Sequence, residues 1–377
     1  MSVPSSDVPE THSCAHYSRH GPPSLVSVDP IPSPPSPGSK QLLVKVSFAS
    51  LNPADYKSAG GEQALLLSFK WPRVYGFDFS GVVVSAASDC SLGFKEGDEV
   101  FGMIAGLPQL HRGTLAEYVL VEEWVCAKKP ENVPHNEAAS VPLVGITAVK
   151  MFRACNADDR ASPRVLITGG AGGVGTVAIQ LAKSMYKASY VATTASAGVK
   201  TELCKSLGAD RVVNYREEKF YEVLDSDDES ELFDIVLDIT GEASRAVHLL
   251  RKNGGMCSIV VGATSSGVRT WLEEARISPN DITTGVRPFL TSEWGGSLFN
   301  CFGGGRSLIQ ACKRRDAKYA MVIGTGNGEI MFILAKLLKE KKIKAVIDKE
   351  YPLQEAKDAI EYLKKGRAAG KVVVRII

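Results

Sequence analysis

Five glycines fall within the seven residues 169–175, GGAGGVG, one residue after the apolar run Val165, Leu166, Ile167 and directly before a helix-like pattern. A chain that reads strand, then Gly170-x-Gly172-x-x-Gly175, then helix performs its chemistry with backbone. The first glycine permits a tight turn, the second lets the main chain approach a pyrophosphate, and the third lets helix pack on strand. Around Gly173 and Val174 the helix start adds unpaired N–H groups and a positive dipole end. GxGxxG alone is weak, and the strand and helix around it make it specific. A glycine-rich structural turn is the bland alternative, and S-adenosylmethionine sites use similar loops.

Which dinucleotide is expected follows from the next strand. An NAD site usually offers a carboxylate to the adenine ribose about 20 residues beyond the glycines. Between Arg160 and Thr201 there is no Asp or Glu. The second strand instead runs into ATTASAGVK, where Thr194, Ser196 and Lys200 offer hydroxyls and an ammonium to a 2′-phosphate. NADPH is therefore expected over NADH, with a solvated helix lysine as the plain alternative for Lys200.

A second group of donors lies in NPADYK: the Asn52 amide, the Tyr56 phenol and the Lys57 ammonium. Each can steady an oxyanion or deliver a proton. Equally, Asn52 and Pro53 can set a turn, Asp55 can cap the helix that follows, and Tyr56 can pack. Solvent is another source of the proton. Other chemistries find less support. The eight cysteines include no CxxC pair, GxSxG is absent, and no Ser-His-Asp spacing stands out. In the cluster His12, Cys14, His16 and His20 the three histidines would line one side of a helix, whereas on a strand His12, Cys14, His16 and Ser18 would share a face, and no metal is expected.

These residues need a scaffold, and the composition is that of a globular protein: 377 residues, 44% hydrophobic, 23% charged, net charge +2. Two domains are expected from that length. The charge gives no electrostatic reason for nucleic acid or an anionic membrane as partner, no run approaches a membrane span, and scattered thiols suit a reducing, cytoplasmic setting. Residues 28–39, VDPIPSPPSPGS, read as a proline-rich join between two strands. From there to about Glu123 short strands punctuated by glycine indicate a mostly β domain. After Pro142 strands alternate with helices, the texture of a doubly wound parallel sheet. The helix after the glycines carries Val174, Ala178 and Leu181 on one stripe. An irregular insert, about 263–317, carries Phe289, Trp294, Phe299 and Phe302, which suit core packing, a substrate mouth, a dimer contact or a membrane surface. Ile330, Ile333, Leu334, Leu337 and Leu338 mark an amphipathic helix, and a second runs from Pro352 to Gly366 before the strand KVVVRII.

In this order, NPADYKSAGG, YGFDFSG, GDEVFG, GTLAEYV, PLVGITA and GGAGGVG resemble the zinc-independent medium-chain dehydrogenase/reductase family, over nearly the whole chain. Its quinone oxidoreductase (zeta-crystallin-like), enone reductase and reticulon-interacting reductase branches look most similar. The resemblance implies an α/β protein in which a GroES-like catalytic domain, residues 1–143 and 327–377, is split around a Rossmann domain, residues 144–326. It places 2′-phosphate contacts on Lys200, Tyr215 and Arg367, and nicotinamide or pocket contacts on Asn52 and Thr147. Zinc-dependent cousins carry a cysteine in the stretch LNPADYK and a histidine in YGFDFSG, and this chain has neither. Gly172 stands where many relatives have serine, which removes a hydroxyl but no backbone donor. The expected activity is NADPH-dependent hydride transfer to a small quinone or an α,β-unsaturated carbonyl. The alternative is an NADPH-binding sensor or scaffold with little turnover. A homodimer is the base-rate expectation.

Overall fold

The computed structural model describes residues 8–60, 71–106, 110–259, 305–322 and 324–377. The described residues form two compact units, one reaching to Ile146 and resuming at Thr325, the other running from Thr147 to Gly324. In the first, β1 (Thr11–Tyr17), β2 (Ser27–Pro32), β3 (Gln41–Leu51), α1 (Pro53–Gly60), β4 (Arg73–Val74), β5 (Asp78–Ala86), β6 (Glu99–Met103), β7 (Tyr118–Glu122), β8 (Cys126–Lys128) and α2 (His135–Ala139) precede α3 (Pro142–Ala154), within which the division falls. The second unit holds β9 (Arg164–Ile167), α4 (Gly173–Ser184), β10 (Tyr190–Ala195), α5 (Val199–Ser206), β11 (Arg211–Asn214), α6 (Phe220–Val223), β12 (Phe233–Asp238), α7 (Ala243–Ala246), β13 (Leu250–Ser258), α8 (Gly305–Arg314) and β14 (Lys318–Met321). The chain then returns to the first unit through α9 (Gly328–Lys339), β15 (Ile347–Pro352), α10 (Ala356–Lys364) and β16 (Lys371–Arg375).

All strand pairs in the second unit are parallel, in the order β11-β10-β9-β12-β13-β14. Numbered from β9, this is 3-2-1-4-5-6, the doubly wound order expected from the sequence, with its direction reversing between β9 and β12. Val165, Leu166 and Ile167 are fully buried because helices cover both faces of such a sheet. One detail differs from the expected apolar stripe: α4 is buried all round from Gly175 to Ala182, while Val174 at its start is half-buried.

In the first unit β3 is the axis. It pairs antiparallel with β5 on one edge, and with β7 and then β16 along its length. Two readings from the sequence change here. The proline-rich segment is not only a join, because its first part is β2, paired with β1 from Thr11↔Pro32 to His16↔Ser27. Prolines are tolerated there since β2 is an edge strand of the sheet β2-β1-β4. The insert read as irregular ends in a helix, α8; its aromatic centre lies outside the described residues.

Candidate functional site

Each unit contributes a candidate site. In the second unit the glycine loop leaves the end of β9, the first strand of the sheet, beside the point where strand order reverses. Gly175 is boxed in by main chain: a Cβ there would lie 2.3 Å from the Gly169 carbonyl oxygen and 2.7 Å from the Gly170 Cα. Gly170 is held as closely by Thr193, whose Oγ1 would be 2.1 Å from such a Cβ. Gly172 is different, because its Cβ would meet only the Gly169 oxygen, at 3.4 Å. Space is therefore kept in front of Gly172, and no side chain caps the helix that begins at Gly173. The arrangement fits a pyrophosphate laid against bare backbone at a helix N-terminus.

Two buried braces hold this loop. Thr194, 2% exposed, accepts a hydrogen bond from the Gly169 N–H at 2.9 Å, so its oxygen shapes the turn. Thr168 donates to Asp238 at 3.1 Å and accepts from the Ile239 and Thr240 N–H groups, tying the end of β9 to the end of β12. Asp238 also accepts from the Gly241, Glu242 and Ala243 N–H groups and from the Ser258 hydroxyl. Sequence reading missed Thr168 and Asp238. The signal available was a polar residue directly after the apolar end of β9 and another at the end of β12.

The groups expected to read a 2′-phosphate sit at the ends of β10 and β11. Ser196 follows β10, Lys200 lies in the first turn of α5, and the Tyr215 N–H donates to the Ala195 carbonyl at 3.3 Å. Tyr215 is 54% exposed, with the Arg216 guanidinium 5.9 Å from its ring centre. No carboxylate stands at the end of β10, which closes on Ala195. Thr147 is buried in α3, and Arg367 is exposed in the other unit, between α10 and β16.

In the first unit Asn52 is placed by sheet register. Ser50 pairs with Asp78 across β3 and β5, while Leu51 pairs with Val372 across β3 and β16, which brings Lys371 to Asn52. The Asn52 amide donates to Asp78 Oδ2 at 2.9 Å, and its oxygen accepts from Lys371 Nζ at 2.6 Å. Lys371 also reaches Asp78 Oδ2 at 3.2 Å, Ser50 donates to the same oxygen, and the Leu143 N–H donates to Oδ1 at 2.8 Å. Asp55, in the first turn of α1, accepts from the Asn52 N–H at 2.7 Å and the Gly76 N–H at 3.0 Å, the backward half of a capping box. Burial pushes the Asp55 carboxyl up to about 7, against the pull of the Asn52 N–H, and burial lowers the Lys371 ammonium against the pull of Asp78. Tyr56 and Lys57 are half-buried on α1.

This donor set does not fit zinc. Asp78 is saturated by hydrogen bonds, and the ammonium of Lys371 already provides the local positive charge that a metal ion would have to approach. Among the described residues no group of three or more His, Cys, Asp or Glu is placed to hold a metal. Nor do the buried thiols among the described residues offer a prepared nucleophile. Burial pushes the Cys14 and Cys155 thiols up to about 12 and those of Cys204 and Cys312 up to about 11, away from the reactive thiolate. The fold does align Ser80 with His135 at 2.8 Å and His135 with Glu99 at 3.0 Å. Yet Ser80 is fully buried and gives its proton to the Val100 carbonyl at 3.0 Å, so the line braces α2 against the sheet.

Comparison with known proteins agrees with this architecture. Residues 38–131 match the alcohol dehydrogenase GroES-like domain and residues 207–374 match the family described as zinc-binding dehydrogenase. The chain is 33% identical to 2-methylene-furan-3-one reductase of Solanum lycopersicum, over 98% of this chain and 80% of that protein. It is 31% identical to the chloroplastic NADPH-dependent alkenal/one oxidoreductase of Arabidopsis thaliana, over 95% and 78% respectively. Among solved structures, a quinone oxidoreductase from Coxiella burnetii superposes with a TM-score of 0.76 at 29% identity, covering 97% of this chain and 100% of the other. With a GroES-like domain joined to a Rossmann sheet, and with that level of identity along almost its whole length, the chain belongs to the medium-chain dehydrogenase/reductase family.

Proposed function

We propose that the chain is an NADPH-dependent reductase that passes hydride to a quinone or to the conjugated carbon of an enone or enal, with no metal in the step. The family and its named relatives support nicotinamide-dependent oxidoreduction. What carries the finer reading is the end of β10: Ser196 follows that strand, Lys200 opens α5, Tyr215 follows β11, and residues 195–200 include no carboxylate. A ribose 2′-phosphate is welcome in such a place, and an unphosphorylated ribose lacks its usual partner.

When bound, the reduced nicotinamide supplies the hydride. The remaining work belongs to the chain. With the cofactor bound, backbone from Gly172 to Gly175 would hold the pyrophosphate, and Lys200 with the Ser196 and Tyr215 hydroxyls would hold the 2′-phosphate; Thr147 and Arg367 would add contacts to it. The negative charge that reduction leaves on the carbonyl oxygen would be steadied by an Asn52 N–H. A proton from Tyr56, Lys57 or water then completes the saturated ketone or the hydroquinone. The names of the Solanum and Arabidopsis relatives specify conjugated carbonyl substrates, in line with this order of events.

The test is consumption of NADPH, followed by its absorbance, with phenanthrenequinone, benzoquinone and small enones as acceptors. Turnover with at least one acceptor, faster with NADPH than NADH, is expected. Tight NADPH binding with no oxidation by any acceptor would replace the reductase with a nucleotide-binding sensor.

A further inference from the structure

We propose that Lys371 is a positioning residue: it fixes the orientation of the Asn52 carboxamide so that one Nδ2–H is held out as a hydrogen-bond donor. The inference rests on the reading of Asn52 as the oxyanion donor. An ammonium has only donors, so the 2.6 Å contact from Lys371 identifies the amide oxygen, and the 2.9 Å contact to Asp78 identifies the amide nitrogen. Lys371 and Asp78 are themselves joined at 3.2 Å, so Oδ1, Nζ, Oδ2 and Nδ2 close into a ring. In a planar carboxamide the N–H inside that ring is the one on the same side as Oδ1. The other N–H then points away from the ion pair, and it has no partner among the described residues.

Reversing the amide would set NH₂ against an ammonium and C=O against a carboxylate, both in a site where Asn52 is 1% and Lys371 4% exposed. At that burial unfavourable pairs are scarcely screened, so the orientation is held without help from substrate. Neither residue alone achieves this. Asp78 can draw in one N–H but leaves the oxygen unclaimed, and Lys371 supplies the missing restraint.

A double-mutant cycle decides the matter. Asn52→Ala is expected to lower kcat about 100-fold, the usual loss for one oxyanion donor. Lys371→Met is expected to lower kcat about 10-fold in the native background and less than about twofold in the Asn52→Ala background. Equal losses in both backgrounds would mean that Lys371 only supports the fold, and the inference would be overturned. An Asn52→Ala enzyme with native kcat would instead remove the reading of Asn52 itself. Should Lys371→Met not fold, neutron diffraction of the native chain locates the amide deuterons. One is expected towards Asp78 and one away from the ion pair, and an amide nitrogen facing Lys371 would overturn the inference.

Discussion

Two glycines in one loop ought to respond in opposite ways to the same methyl group. At Gly172 the backbone has φ −82° and ψ 174°, which alanine adopts freely, and the added Cβ touches only one oxygen, at 3.4 Å. Loss of a tolerated N-cap glycine, partly offset by a stiffer unfolded chain, leaves the stability of Gly172→Ala within about 1 kcal/mol of native. Its methyl would nevertheless intrude on the pyrophosphate proposed to lie there. Displacing one charge-assisted hydrogen bond there costs about 1.5 to 3 kcal/mol, or about 10-fold to 100-fold in the Kd for NADPH. Gly175→Ala meets three main-chain atoms between 2.3 and 2.8 Å, none able to swing aside. It should lose about 1 to 3 kcal/mol of stability by overpacking before any ligand is considered. Fluorescence titration of NADPH alongside thermal unfolding separates the two effects. If Gly172→Ala binds NADPH as tightly as the native chain, the pyrophosphate does not lie against this turn and the site has been placed wrongly.

Three further outcomes are expected. Lys200→Glu should weaken NADPH about 100-fold while changing NADH by less than about threefold, because only the former carries a 2′-phosphate; equal losses in paired titrations would remove Lys200 from the contact. His12 is 2% exposed with neither ring nitrogen hydrogen-bonded, and burial beside His111 lowers its pKa from 6.5 to about 4. Below pH 6.5 the unfolded chain therefore takes up a proton that the folded chain refuses, so stability falls by about 3 kcal/mol as pH drops to about 4. His12→Phe should flatten that window in urea unfolding, and an unaltered slope would show that another group titrates.

Local features of the sequence read well, while features made by long-range pairing did not. The glycine knot, the apolar strands around it and the missing carboxylate before Thr201 are each determined within a few residues, and so they were legible. The alternation after Pro142 announced a doubly wound sheet because strands buried on both faces must be apolar throughout. Asn52 could be singled out by type, yet its partners could not. Asp78 and Lys371 reach it only through the registers β3–β5 and β3–β16, and Lys371 stands 319 residues away. A lysine opening the apolar run VVV was the one visible hint. The proline-rich stretch misled in part, since whether proline interrupts a strand depends on whether that strand lies at an edge.

The seam between β3 and β16 also has a consequence for biogenesis. Residues 48–51 have their sheet partner in β16, which is synthesised only after the entire second unit. The second unit, whose strands pair with neighbours close along the chain, can settle first, whereas the first must wait with a β-rich edge uncovered. During that interval the stretch from Phe48 to Leu51 is the place where a nascent molecule is most open to capture by another strand. Chaperone dependence and aggregation of destabilised variants should therefore track this edge more closely than the nucleotide-binding half.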